Sequence, residues 1–228
     1  MLPSFIPWFL QNFIWIPTNI ILRLFGAFKV KNLGNIDGIK GSAIFVSNHA
    51  SQLDPILLPA ALPMFSRFLP MFYVSREKEF YDQNNILKKI FYGGFFFKIW
   101  GAYQAYVGKR NFSFSLQNHL KIIKDGKSLF IFPEGKKSFD GKIHEFFGGA
   151  AFLSRTTGVP IVPITINGAY QSNFGKFFSF KKKISIIFGK PIYPDELFDG
   201  KEKIIPHDYK IAMNNIVLPR IAKMLKNG

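Results

Sequence analysis

At 228 residues the chain is one domain, or one domain with an appendage, and can bury a full core without staples. It has no cysteine, which excludes disulfides, thiolate metal sites and cysteine nucleophiles, and leaves imidazole chemistry to His49, His119, His144 and His207. The net charge of +16 is spread, +7 over residues 1–110 and +9 over 111–228, so the whole body and not a tail would meet a polyanion.

Residues 1–22 carry no charged side chain, long enough to meet the length test for a membrane span. Pro3, Pro7 and Pro17 argue against a straight one, while Trp8, Trp15, Phe5, Phe9 and Phe13 are rings that favour the headgroup level. Residues 1–27 are therefore expected as two short hydrophobic helices meeting near Pro17 and lying in one leaflet. A plain span is the alternative, and it would hold Arg23, Lys29 and Lys31 on the cytoplasmic side. Removing this segment is expected to free residues 28–228, the second unit, from the membrane.

Strand and helix signals then alternate. Phe28–Leu33 and Ala43–Ser47 read as strands, and Pro55–Leu62 as a helix opened by Asp54-Pro55, a cap followed by proline at the first helical position. Met71–Val74 is a strand, Asn85–Tyr92 a helix, and Phe112–Asp125 a helix ended by Gly126. Ser128–Phe132 is a buried strand, Gly149–Thr157 a helix stopped at Gly158, and Ile161–Ile166 and Lys183–Phe188 are strands. His207–Leu225 closes as an amphipathic helix. The order implies an α/β fold, with a mixed, mostly buried sheet flanked by helices.

Three segments have residues suited to chemistry. On a continuous helix His49 and Asp54 would lie on different faces, so they meet only if the chain turns between them. A carboxylate on one imidazole nitrogen would leave the other free to take a proton, though the same spacing suits a loop histidine before a helix cap. Phe132-Pro133-Glu134-Gly135-Lys136-Lys137-Ser138 leaves a strand with a carboxylate, a glycine and two lysines, suited to an anionic ligand or to a solvated turn. Gly101–Asn111 ends in Gly108-Lys109-Arg110-Asn111, an anion loop or an ordinary turn.

Together these segments resemble the glycerolipid acyltransferases, bacterial 1-acyl-sn-glycerol-3-phosphate acyltransferases in particular. The family's N-H-x-S-x-x-D stands as Asn48-His49-Ala50-Ser51-Gln52-Leu53-Asp54, and its F-P-E-G-T-R-S as Phe132 to Ser138, followed by Asp140-Gly141. A proline-bounded strand appears as Val159-Pro160-Ile161-Val162-Pro163-Ile164, and Phe188-Gly189-Lys190-Pro191-Ile192 matches a later element. The resemblance covers residues 28–194. It implies transfer of an acyl group from acyl-CoA or acyl-carrier protein to a lysophosphatidic acid-like acceptor, with His49 as general base oriented by Asp54. It further implies that Asn48, Ser51, Glu134, Gly135, Lys137, Lys109 and Arg110 contact substrate, with no cofactor and no metal. Two family arginines are missing, one replaced by Val107 and one by Lys137, and lysine lacks the bidentate fork that fits phosphate. Another lysolipid headgroup, or a lipid-binding relative without activity, is the alternative. Phe95–Phe97 or Met64–Phe72 would wall an acyl tunnel.

Rival chemistries are a hydrolase using Ser51 or Ser138, and a nucleic-acid binder. The second calls for lysines aligned on one helix face, and these are scattered. With 28 Phe, 8 Tyr and 3 Trp, an anionic phospholipid surface suits the charge better, placing the protein at a membrane with its catalytic unit on the cytoplasmic face.

Overall fold

Strands apolar on both faces have to be covered on both, and this chain has them. Phe45, Phe130, Val162 and Ile164 face one layer, while Ile44, Val46, Leu129, Ile131 and Ile161 face the other, nearly all of them fully buried. The computed structural model describes residues 3–75, 98–106, 111–170 and 183–226. Its strands are β1 (Lys29–Lys31), β2 (Ile44–Ser47), β3 (Phe72–Ser75), β4 (Ala102–Gln104), β5 (Leu129–Ile131), β6 (Ile161–Asn167) and β7 (Ser185–Phe188). They form one sheet in the order β1-β7-β6-β2-β5-β3-β4. The stretch from β6 to β4 is parallel, and β7 joins β6 antiparallel and carries β1 on its far side.

The helices are α1 (Phe5–Gly26), α2 (Asp54–Ala61), α3 (Phe112–Ser115), α4 (Gln117–Lys124), α5 (Gly149–Thr157), α6 (Pro194–Phe198), α7 (Pro206–Ala212) and α8 (Leu218–Lys226). Apolar residues of α1 and α2 pack on the first face, and those of α4 to α8 on the second. The mixed sheet flanked by helices is thus the expected α/β arrangement. β1, β2, β5 and β7 are shorter than the sequence suggests, while β3 keeps its length and β6 runs one residue further. β1 stops at Lys31 because Asn32 turns left-handed (φ 57°) into a 3-10 turn. The 112–125 helix is divided at Leu116, whose ψ of 20° leaves the helical region while its side chain is buried. The last helix contains a π turn at Met213–Val217, where Asn214 bonds both the amide and the carbonyl of Phe146 and Pro219 offers no amide. The helix expected at Asn85–Tyr92 lies outside the described residues.

Instead of two helices meeting at Pro17, residues 5–26 form one helix that runs through that proline. Pro17 removes only the amide that would bond Phe13 O, and side chains on both sides of it tie the helix to the domain. Gln11 Nε2 donates to Met71 O (2.8 Å) and Trp100 O (3.0 Å), and Gln11 Oε1 accepts from Met71 N (2.7 Å). Asn12 Oδ1 accepts from Phe65 N (2.8 Å), Trp15 Nε1 donates to Leu62 O (2.9 Å), and Asn19 Nδ2 donates to Ala60 O (3.2 Å). The opposite side exposes Phe5, Phe9, Phe13, Ile16, Ile20 and Leu24, spaced three or four residues apart.

His119 on α4 is a core histidine. Its Nε2 lies 3.0 Å from Tyr103 O, and its Nδ1 finds no hydrogen-bond partner among the described residues. Burial lowers its pKa from 6.5 to about 4, against the carbonyls of Tyr103 and Tyr73, which raise it. The folded ring therefore stays neutral where the unfolded chain takes up a proton. This contribution to stability is full above pH 6.5 and is lost toward pH 4, at a slope of up to about 1.4 kcal/mol per pH unit. Urea unfolding between pH 7 and pH 4.5 should show a shallower acid slope for His119→Gln than for wild type; equal slopes would rule out this linkage.

Candidate active site

β2 and β5 are parallel neighbours, and the chain leaves them toward opposite faces: from β2 into α2, from β5 through residues 132–148 into α5. Adjacent strands whose connections diverge open a crevice at their carboxyl ends. His49 follows the end of β2 by two residues, and Glu134 follows the end of β5 by three.

His49 Nδ1 lies 2.9 Å from Asp54 Oδ2. Asp54 is the first residue of α2, yet its carboxylate turns back into the preceding loop instead of capping the helix. Oδ2 also accepts from Ala50 N (2.7 Å) and Ser51 N (2.9 Å), and Oδ1 from Ser51 Oγ (2.6 Å). Asp54 is fully buried, which would be costly for a carboxylate without such donors. With Nδ1–H donating to this carboxylate, Nε2 is the basic nitrogen of the ring. The His49 side chain is 18% exposed and stacks on Phe132, with ring centroids 4.0 Å apart.

The 132–144 segment is bonded to the same loop. Gly135, at φ 68°, makes the tight turn that closes with Gly135 N donating to Phe132 O. Glu134 Oε1 accepts from His49 N and Oε2 from His144 N, both at 3.0 Å, and Ser138 N donates to His49 O at 2.8 Å. Burial pushes the Glu134 pKa above the usual carboxylate value, while the His144 and His49 amides pull it down. Asp140 gathers Ser138 Oγ, Lys142 N and His144 Nε2, and the Lys142 amide is the main cause of its lowered pKa. His144 in turn stacks on Phe139. The sequence reading gives His144 no role, and the only sign of this pair in the sequence is its four-residue spacing.

His49, Asp54, Glu134 and Gly135 thus come together at the carboxyl ends of β2 and β5, and the same turn carries the exposed Lys136 and Lys137. Asn48 and Ser51 are buried and have their polar groups bonded within the protein. Asn48 bonds the amide and carbonyl of Ile166 on β6, and Ser51 Oγ donates to Asp54 and accepts from Leu53 N. Ser138 Oγ faces Asp140 and Lys142 O. Neither hydroxyl is bonded to the His49 imidazole as a hydrolase triad would need. Lys109, Arg110, Val107 and Phe95–Phe97 lie outside the described residues. Of Met64–Phe72, offered as a tunnel wall, Phe68, Leu69, Met71 and Phe72 are core residues and Phe65 is exposed. The arrangement that remains, a carboxylate-oriented imidazole beside exposed cations, can take a proton from a hydroxyl next to an anionic group.

The acyltransferase family model matches residues 27–167. A probable 1-acyl-sn-glycerol-3-phosphate acyltransferase of Mycoplasma pneumoniae is 29% identical over 171 residues, 68% of this chain and 58% of that protein. A 1-acyl-sn-glycerol-3-phosphate acyltransferase of Saccharomyces cerevisiae is 27% identical over 186 residues, 79% of this chain and 57% of that one. The chain therefore spans a little over half the length of either relative. The crystal structure of the 1-acyl-sn-glycerophosphate (LPA) acyltransferase PlsC from Thermotoga maritima superposes with a TM-score of 0.63 at 19% identity. The match covers 94% of this chain and 80% of that one, a likeness of fold.

Proposed function

The chain belongs to the acyltransferase family, and on that premise we propose that it moves a fatty acyl group from a thioester to the free hydroxyl of a lysophosphatidic acid-like acceptor, giving phosphatidic acid. The observation that carries this reading is the His49–Asp54 pair at the crevice. His49 Nε2 takes the proton from the glycerol hydroxyl as its oxygen attacks the thioester carbonyl. The tetrahedral intermediate then collapses, the carbon–sulfur bond breaks, and the imidazolium returns its proton to the departing sulfur. A thioester is already activated, so this route calls for no protein nucleophile. Acyl-CoA or acyl-carrier protein is the donor. Lys136 and Lys137, with Lys109 and Arg110, neutralise the acceptor's phosphate.

The protein works at a membrane surface. The polar edge of α1 is spent on the domain's backbone, so its apolar side is left for one leaflet of an anionic bilayer. Basic residues spread over both halves of the chain favour the cytoplasmic face.

A lysolipid panel, with and without a headgroup on the phosphate and with both donor types, tests the reaction. Lysophosphatidic acid should give the highest kcat/KM. Preference for a headgroup-bearing lysolipid would move the assignment to another lysophospholipid, and free fatty acid released without acceptor would point to a hydrolase.

A further inference from the structure

Glu134 is 4% exposed, and each of its carboxylate oxygens already accepts a main-chain amide. One amide belongs to His49, 85 residues away in the chain, and the other to His144, 10 residues away. Ser138 N donates to the carbonyl of His49, so the peptide groups on both sides of the His49 Cα are held by residues 134–138. The imidazole is held separately, by Asp54 at one nitrogen and by Phe132 against its face. The ring is therefore oriented by Asp54 from its own side and by Phe132 from the loop of the neighbouring strand, and that same loop holds the backbone beneath it. A carboxylate in this place bridges the two loops at the mouth of the crevice, beside the Ser138–His49 main-chain bond.

From this convergence we infer that Glu134 is a positioning residue: it fixes the backbone of His49 against the β5 loop and does not itself bind the acceptor. The inference rests on His49 being the general base. It departs from the acceptor-binding role that the sequence resemblance implies for Glu134. Glutamine at this position has the same size, but its amide group would face a main-chain N–H, so one of the two bonds, to His49 N or to His144 N, is lost and the segment around it shifts. A base displaced by about 1 Å loses on the order of 10² in rate.

Steady-state kinetics of wild type, Glu134→Gln, His49→Ala and the double variant, in detergent micelles, separate the possibilities. Glu134→Gln should lower kcat about 10²-fold and leave the acceptor KM near wild type. In the His49→Ala background it should add nothing, because both changes act through one imidazole. A raised acceptor KM with kcat restored at saturation would overturn the inference, as would losses that multiply in the double variant. Near-normal turnover by His49→Ala alone would instead remove the base assignment. Amide hydrogen exchange on the wild-type protein needs no variant to fold. Protected amides at both His49 and His144 support the bridge, and exchange of either at the rate of a free peptide would sink it.

Discussion

His49→Ala is expected to lower kcat for acyl transfer by about 10²- to 10⁴-fold while leaving the melting temperature and vesicle partition close to wild type. The size follows from the role, since removal of a positioned base leaves the hydroxyl to attack with only water to take its proton. The selectivity follows from packing. The ring rests on Phe132 and bonds only Asp54 among the described residues, whereas the loop itself is held by main-chain bonds to Glu134 and Ser138 that alanine would keep. Asp54→Asn should behave differently. Four donors surround that carboxylate, and an amide offers them one acceptor oxygen in place of two. Loss of turnover should then come with a lower melting temperature. Measured with labelled acyl thioester and lysophosphatidic acid, near-normal turnover by His49→Ala would end the general-base assignment. A His49→Ala melting temperature as low as that of Asp54→Asn would show the ring to be a structural support as well.

Spacing alone left the His49–Asp54 pair open between a base with its orienting carboxylate and a loop histidine before a helix cap, and only the company of the other motifs singled it out. The loop that completes the site was legible only as a motif. Its bond to His49 joins residues 85 apart, which periodicity does not report. The protein partners of Asn48 and Ser51 were hidden for another reason: a polar side chain beside a reactive one reads alike whether it meets substrate, β6 or the carboxylate of Asp54. β4 was missed because three residues carry too little alternation to separate a strand from a loop. Pro17 hides the continuity of α1 in the sequence, and the residues around it are what reveal it. Gln11, Trp15 and Asn19 recur every four residues, and that stripe is the signature of an edge with fixed partners.

Gln11→Leu should destabilise the fold more than any substitution on the exposed side of α1. Gln11 is 1% exposed, and its side chain satisfies Met71 N, Met71 O and Trp100 O at once. Leucine would leave these three groups buried without that partner, at about 1–3 kcal/mol for each that water cannot reach. The total is a large part of the 5–15 kcal/mol that ordinarily holds a domain together. Phe9→Glu combined with Phe13→Glu makes the opposite change. Both rings are mostly exposed, so the melting temperature should hold while partition into anionic vesicles weakens, since burying each phenyl ring contributes about 1.5–3 kcal/mol. A helix that crossed the bilayer as a detached anchor would reverse the pattern, with Gln11→Leu improving membrane retention at no cost to the domain. Deletion of residues 1–27 removes Leu22 from the first core layer together with the packed Leu10, Ile14 and Ile21. It should therefore yield an aggregating protein instead of the soluble domain that a separable anchor would release. A monodisperse, active 28–228 fragment would show that these hydrogen bonds are dispensable.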